Sequence, residues 1–510
     1  MRKVDIFDTT LRDGEQALGL GAGALGKVDK YTIASLMDEA GFDVIEAGFP
    51  ASTDGDFESV RYIAGQMANS AVAGLARTIP DDIKKAYDAV KNAKRPRIHT
   101  FIAVSPIHMK EKLRMTPDQV YQAAIDSVKQ ARSFLGKKGT VEFSGEDSFR
   151  ANLEFLVRVY SGVIKAGADV INVPDTVGYA QPTEIFDKIR YLLQNVQGSY
   201  RVQWSIHCHE DLGNATSNSN AAIRAGINQV EGTINGVGER AGNVALEEVL
   251  GNIKTRPDFF DVYTGIDTTK IWYISQQVSR ILGMPVQPNK AIVGENAFAH
   301  GAGIHQDGVL KDKRTYEILK PEDWGWRGEN ILITPRSGRR GINKILEDLG
   351  YRVTPEELNG VYEKAMPLLD KLKKLSPSDL AVILEDEVRR TPEIVRLEYM
   401  SVTAGTNPVK SAVVQVRRNG VVIPSVSIGD GPIDALYKAI NNALGIEVEL
   451  PGYGIKTIGE GMAAQGEVTA TIKDNSHRFI GRGVSTDIIE ASGKAYISAV
   501  NKMLYQREKR

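Results

Sequence analysis

"VDIFDTTLRDGEQALGLGAG", residues 4–23, decides between two α/β architectures. Its apolar opening, Val4 to Phe7, reads as a short strand, and Asp8, Arg12, Asp13 and Glu15 follow at once. A doubly wound dinucleotide-binding sheet would open its first helix with G-x-G-x-x-G. No such motif opens the first helix here, although Gly19 to Gly23 is glycine-rich. The charged strand end instead suits a closed barrel, whose strand ends gather on one face.

Working outward, short β-branched runs alternate with longer amphipathic stretches up to about residue 275. Val4–Phe7, Val44–Ala47, Ala71–Leu75, Arg97–Ile102, Thr140–Phe143, Val170–Val173, Val202–Ile206 and Gln229–Thr233 read as strands, with helices such as Thr116–Phe134 and Asn152–Ala166 between them. About eight βα units is the count of a (β/α)8 TIM barrel. Polar chemistry recurs at the strand ends: Arg12 and Asp13, Glu46, Arg77, His99, Ser144 and Glu146, Asn172 and Asp175, His207 and His209, Asn235 and Glu239. Turns are polar anyway, so each residue alone says little. Their recurrence on one face reads as a site.

The chain has 510 residues, which implies two or three domains. Lys plus Arg number 63 against 64 for Asp plus Glu, which argues against a nucleic-acid or membrane-surface footprint. Cys208 is the only cysteine, so an intrachain disulfide and a cysteine-based structural zinc site are excluded. No signal-peptide core and no apolar run near the length of a membrane span is found, and a soluble cytoplasmic protein is expected.

Three regions follow. Residues 1–275 form the barrel, and residues 276–394 read as helical linker subdomains, with "NAFAHGAGIHQDGV" (296–309) and a charged helix over Leu358–Lys374. Residues 395–510 read as an α+β domain of two βββα modules, each with a glycine-bounded turn, an aspartate (Asp434, Asp487) and an alanine-rich helix. Binding a small effector and dimerisation are its two readings.

"IHCHEDLG" (206–213) places His207 and His209 two apart at a strand end, where both imidazoles can face one metal. A buried structural pair is the other reading of that spacing. "NGVGERAGN" (235–243) brackets Glu239, Arg240 and Asn243 with glycines that allow tight turns. With Asp13, one carboxylate, two imidazoles and one amide oxygen suit Mn²⁺, Mg²⁺ or Zn²⁺ as a Lewis acid. Two histidines and a carboxylate also describe a non-haem iron site. The neighbouring Arg12 favours carbonyl chemistry, where an oxyanion must be stabilised.

In order along the chain, "FDTTLRDGEQ" (7–16), "HTFIAVSPIH" (99–108), "VPDTVGY" (173–179), "GERAGN" (238–243), "QPNKAIVGENAFAHGAGIHQDGVLK" (287–311) and "GDGPIDA" (429–435) resemble the isopropylmalate/homocitrate synthase family of acyltransferases, which also holds citramalate synthase. The resemblance runs nearly end to end. It implies a Claisen-type condensation of acetyl-CoA with 3-methyl-2-oxobutanoate and water to 2-isopropylmalate and CoA, the first committed step toward leucine. It further implies a homodimer inhibited by L-leucine. By the same resemblance the metal, Mn²⁺ first, is held by Asp13, His207, His209 and Asn243 and chelates the oxo acid. Arg12 steadies the alkoxide, and Glu146, Thr176, Glu239 and His305 take part, His305 from the partner subunit. His305 is chosen as the base because a neutral imidazole is matched to pH 7.

His99, Ser144, Asn172 and Pro174 match the oxo-acid pocket. Gly429 and Gly431 are expected to offer N–H groups to leucine's carboxylate, with Ile433 against its side chain. Three departures stand out: Glu210 after the second histidine (a longer acid, expected to shift a hydrogen bond behind the metal and tune it), a longer glycine-rich stretch over 17–27, and polar Asn214, Ser217 and Asn220. Competing readings are a citramalate synthase taking pyruvate, a lyase of the hydroxymethylglutaryl type, and a metal-binding amino-acid sensor with an inactive barrel.

Overall fold

The computed structural model describes residues 1–17, 25–300, 305, 308, 309, 311–326, 333–335, 337–349, 351–372, 375, 377–384, 392–405, 409–458, 465–475 and 477–508. Most of the glycine-rich stretch over 17–27, namely 18–24, therefore lies outside the described residues. The chain divides into two compact units, Met1–Phe298 with Ile318–Gly328, and Ala299–Glu317 with Glu329–Arg510.

In the first unit eight parallel strands close a barrel: β1 (Asp5–Asp8), β2 (Val44–Gly48), β3 (Ala71–Arg77), β4 (Pro96–Ala103), β5 (Thr140–Glu146), β6 (Val170–Asp175), β7 (Gln203–Cys208) and β8 (Gln229–Gly232). β1 pairs back onto β8, Asp5 opposite Gln229 through Asp8 opposite Gly232. Helices α1 (Lys27–Ala40), α2 (Asp54–Gln66), α3 (Pro80–Val90), α4 (Pro117–Leu135), α5 (Leu153–Ala166), α6 (Pro182–Asn195), α7 (Ala215–Ala225) and α8 (Leu246–Thr255) follow the strands in turn. Their starts are encoded locally. The Thr116 hydroxyl accepts from the Gln119 N–H while the Gln119 side chain accepts from the Thr116 N–H, and Asn152 accepts from the Phe155 N–H. Each cap contributes about 1 kcal/mol.

Alternation along the strands sorts their side chains. Ile6, Ile45, Val72, Ile98, Val141, Phe143, Ile171, Ile206 and Val230 point outward and are fully buried under the helices. The intervening residues point inward, and many are polar: Arg97 and His99, Glu142 and Ser144, Ser205 and His207, Gln229 and Glu231. They survive burial because they pair. Arg97 Nη1 donates to Glu142 (3.0 Å) and Gln229 (2.8 Å), and Gln229 Nε2 to Glu142 (2.7 Å) and Ser205 (3.0 Å). Strands β5, β6 and β7 also run two or three residues beyond their apolar runs, to Glu146, Asp175 and Cys208. The backbone ladder continues after the inward side chains have turned polar.

In the second unit α10 (Arg339–Asp348), α11 (Pro355–Leu372) and α12 (Pro377–Val382) pack through Ile342, Leu346, Val361, Leu369 and Leu380; α9 (Ile271–Leu282) belongs to the first unit. Two three-stranded antiparallel sheets follow: β9 (Val395–Thr403), β10 (Ser411–Arg418), β11 (Val421–Ile428), then β12 (Glu449–Ile458), β13 (Gln465–Asp474), β14 (His477–Ser485). Each sheet is followed by one helix, α13 (Pro432–Leu444) or α14 (Ile488–Glu508), so the chain carries two βββα modules. The alanine-rich character of α14 has a steric cause: Ala491, Ala495 and Ala499 sit so close to Gly481 and Gly483 on β14 that a Cβ at either glycine would collide with the helix backbone. Among the described residues no helix is long and apolar enough to cross a membrane.

Candidate active site

Residues from every barrel strand or its end except β2 line a cavity of about 200 Å³ at the barrel mouth. Arg12 and Asp13 reach it from the turn after β1, where three N–H groups, of Arg12, Asp13 and Gly14, converge on the Thr9 carbonyl and tighten the chain. Asp13, His207 and His209 form, among the described residues, the one cluster of His, Cys, Asp and Glu able to hold a metal, with one ligand atom from each lying within 4.8 Å of the others. His207 points inward one residue before the end of β7, and His209 is fixed by a bridge to Asn243 that joins the two loops. Asn243 Nδ2 donates to Asp13 Oδ1 (3.0 Å) and to the Val237 carbonyl (3.0 Å). Gly238 must be glycine here, because a Cβ would strike Asn243 Nδ2.

These side chains fit a divalent cation. Asn243 Oδ1 is buried without a hydrogen-bond partner, and the Nε2 atoms of His207 and His209 turn toward each other beside Asp13. Burial, with the neighbouring His209, pushes the His207 imidazole down to about 3, so the ring is neutral and can offer a lone pair. Burial lowers His209 as well. Burial alone would raise Asp13, but Arg12 first, then His207 and His209, hold it well below the usual carboxylate range.

Arg12 is held from two sides, Nε donating to Glu46 Oε2 at 2.5 Å and Nη1 to Asp13. Glu46 is fully buried, and burial would raise its carboxyl; Arg12 and His99 outweigh this and pull it to about 2. Its other oxygen meets His99 Nδ1 at 2.7 Å, and His99 Nε2 lies 2.6 Å from Ser144 Oγ, which also accepts from Asn172 Nδ2 at 2.9 Å. Strand register makes this possible, with Ser144 opposite Asn172 and Pro174 opposite His207.

The cavity thus brings together Arg12, Asp13, His99, Ser144, Glu146, Asn172, Pro174, Thr176, His207, His209 and Glu239 from the sequence reading. Glu146 is tethered by Lys112 at 2.6 Å, Thr176 Oγ1 accepts from the Asp147 N–H at 2.9 Å, and Glu239 is exposed at the rim. His305 belongs to the second unit, exposed, its ring 4.5 Å from that of Tyr316.

Two expectations need correction. Glu210 does not reach back toward the histidines: its Oε2 accepts from the Ala215 N–H at 2.7 Å and caps α7. At the start of α13, the Gly429 N–H already donates to the Lys410 carbonyl (3.1 Å) and the Asp430 N–H to Asp434 (2.9 Å), so Gly429 has no N–H to spare for a carboxylate. Gly431 caps the helix with open space where a Cβ would stand, and Ile433 is half-buried against the module core.

The sequence reading missed the cavity-lining Gln16, Leu75, Phe101 and Glu231. The available signal was alternation: His99 facing inward obliges Phe101 to do so, and a glutamate inside the apolar "QVEG" obliges a polar interior.

Comparison with known proteins reaches the whole chain. Residues 3–278 match the HMGL-like family, 292–373 the homocitrate synthase post-HMGL domain-like family, and 374–504 the LeuA allosteric (dimerisation) domain. Curated relatives include the 2-isopropylmalate synthases of Pelotomaculum thermopropionicum, 46% identical over 100% of both chains, and Carboxydothermus hydrogenoformans, 47% identical over 99% of this chain and 98% of its own. That of Pyrococcus furiosus is 46% identical over 98% of this chain and 99% of its own.

Proposed function

Because the chain belongs to the HMGL-like family and, end to end, to its 2-isopropylmalate synthases, we infer that it condenses acetyl-CoA with 3-methyl-2-oxobutanoate and water to give 2-isopropylmalate and CoA. It is an acyltransferase of leucine biosynthesis, and its LeuA-type domain suits feedback by L-leucine. The observation that carries this reading is the meeting of Asp13, His207 and His209 in one cavity with Arg12, His99 and Ser144, Glu46 linking Arg12 to His99 from behind the wall.

We assign Asp13, His207, His209 and Asn243 to a divalent metal, Mn²⁺ ahead of Mg²⁺ and Zn²⁺. When bound there, the ion supplies Lewis acidity toward the oxo acid's carbonyl. Arg12, its fork oriented by Glu46 and Asp13, faces the negative charge that develops on that carbonyl oxygen as the new carbon–carbon bond forms. Thr176 has its oxygen engaged by the Asp147 N–H, which leaves its O–H to meet the oxo acid's carboxylate. His99, Ser144, Asn172 and Pro174 wall the side-chain end. We place removal of the acetyl methyl proton on His305 of the partner subunit. Glu146 and Glu239 stand at the rim, where water must be aimed at the thioester. The assembly is a homodimer, its place the cytoplasm.

The test follows free CoA thiol release from acetyl-CoA with a panel of 2-oxo acids. The highest kcat/KM is expected with 3-methyl-2-oxobutanoate. Faster turnover of pyruvate would reassign the enzyme as a citramalate synthase, and no release with any acid would leave the sensor reading.

A further inference from the structure

We propose that Glu231 is the positioning residue of His207: its carboxyl stands behind the imidazole, accepts from Nδ1 and so keeps Nε2 turned to the metal. This rests on the assignment of Asp13, His207, His209 and Asn243 to a divalent cation.

The placement comes from strand register. His207 on β7 is the direct partner of Glu231 on β8, and both side chains point into the barrel. The imidazole then presents two ends. Nε2 lies 3.3 Å from His209 Nε2 and 3.6 Å from Asp13 Oδ2, at the ligand cluster. Nδ1 lies 3.7 Å from Glu231 Oε2. Both atoms of this second contact are buried, and among the described residues neither has a hydrogen-bond partner.

Once Nε2 gives its lone pair to a cation, the one proton of the neutral ring has to sit on Nδ1. A buried N–H needs an acceptor, and Glu231 Oε2 is the unpartnered one that faces it. Closing the gap by about 0.8 Å, a small turn of the ring, reaches an ordinary N–H···O length. Burial and the neighbouring Glu142 raise the Glu231 carboxyl. Its role does not depend on that: with a proton on Oε1, beside Ser205, Oε2 still accepts.

Glu231 is itself held in place. Its Oε1 lies 2.8 Å from Ser205 Oγ, which accepts from Gln229 Nε2 at 3.0 Å, and Gln229 is tied in turn to Glu142 and Arg97. The polar interior below the site thus serves as a base for the ring above it. His209 is oriented differently, through its backbone bridge to Asn243.

Calorimetric titration of Mn²⁺ into the full chain, stripped with chelator, reads the effect without turnover. Glu231→Leu removes the acceptor at similar size, and Mn²⁺ binding is expected to weaken about 10–100-fold. Glu231→Gln keeps an acceptor oxygen without the charge and should weaken it about three- to tenfold, the difference between a charged and a neutral acceptor. A purely structural Glu231 would lower the melting temperature of the metal-free variants and leave the Mn²⁺ affinity of the folded protein where it was.

A folded Glu231→Leu that binds Mn²⁺ within about twofold of wild type overturns the proposal. If that affinity is kept while kcat collapses, Glu231 acts on the substrate from the cavity floor instead. Should Glu231→Leu fail to fold, Glu231→Gln decides, and an affinity unchanged within about twofold refutes the role. If wild type binds none of Mn²⁺, Mg²⁺ and Zn²⁺, the metal assignment fails first and takes this one with it.

Discussion

The Nε2 atoms of His207 and His209 face each other at 3.3 Å, with Asp13 Oδ2 3.6 Å from the first. At that separation one neutral imidazole can donate to the other, and a divalent cation would let both present lone pairs, with the nearby carboxylate supplying matching charge. The pair follows from two residues of one strand end bent inward, held by Asn243 from the loop after the next strand.

Metal removal is therefore expected to abolish turnover, and Mn²⁺ or Mg²⁺ to restore it. His207→Ala should weaken metal binding by more than the roughly 10–100-fold typical of an outer partner. Folding should persist, since the barrel core lies on the other strand face. Calorimetric titration of the chelated protein measures this; full activity in metal-free enzyme refutes it.

Arg12→Lys keeps a charge but not the fork that holds Glu46 and Asp13 together. A loss of roughly 100–1000-fold in kcat is expected, with metal affinity kept within a few-fold. A loss below about tenfold would mean that Arg12 serves only to orient Asp13.

Asp8 is fully buried, and burial, reinforced by Glu247 and Glu46, pushes its carboxyl up to about 7. Because the folded-state value lies above the ordinary 3.8, Asp8 favours the fold most at low pH, and that contribution fades as pH rises through about 7. Asp8→Asn should thus flatten the pH dependence of barrel stability between about pH 4 and 7, at most about 1.4 kcal/mol per pH unit. Melting curves of wild type and variant that stay parallel across this range would sink the assignment.

Leucine sensitivity should vanish when the chain is cut after residue 394. Gly431→Trp is the gentler probe: its backbone is extended and nothing lies within 4 Å of a Cβ there, so the substitution fits the free module. Loss of inhibition is expected, against a wild-type coupling of about 1–3 kcal/mol. Equal inhibition of both proteins, or none of wild type, would make the domain a dimerisation module alone.

The two readings of residue 210 mark how far sequence reaches. A carboxylate beside two histidines reads as a modifier of the metal, yet Glu210 turns the other way to cap α7, which only the path of the chain reveals. Gly429 is similar: glycines before a helix look free, but the Gly429 N–H meets the carbonyl of Lys410, just before β10. Glu231 went unread because an isolated glutamate in an apolar run has no partner in sequence; in space it lies beside His207 and Ser205.

By itself the sequence determined what neighbouring residues can express. Period-two runs, capped helices such as Thr116–Leu135, and His207 two before His209 are properties of adjacent residues, and they carried the barrel, the paired modules and the core of the site. Tertiary structure decided what depends on closure and register. Asn243 and Asp13 meet across 230 positions because β8 pairs with β1, and Glu46, His99 and Ser144 meet through the stagger of the barrel: Glu46 is level with Ala73 and Arg97, two residues before His99, and His99 is level with Glu142, two before Ser144. Glu46 can only accept in that buried chain because Arg12 keeps it ionised, and that pairing exists only once the barrel has brought the two together out of water.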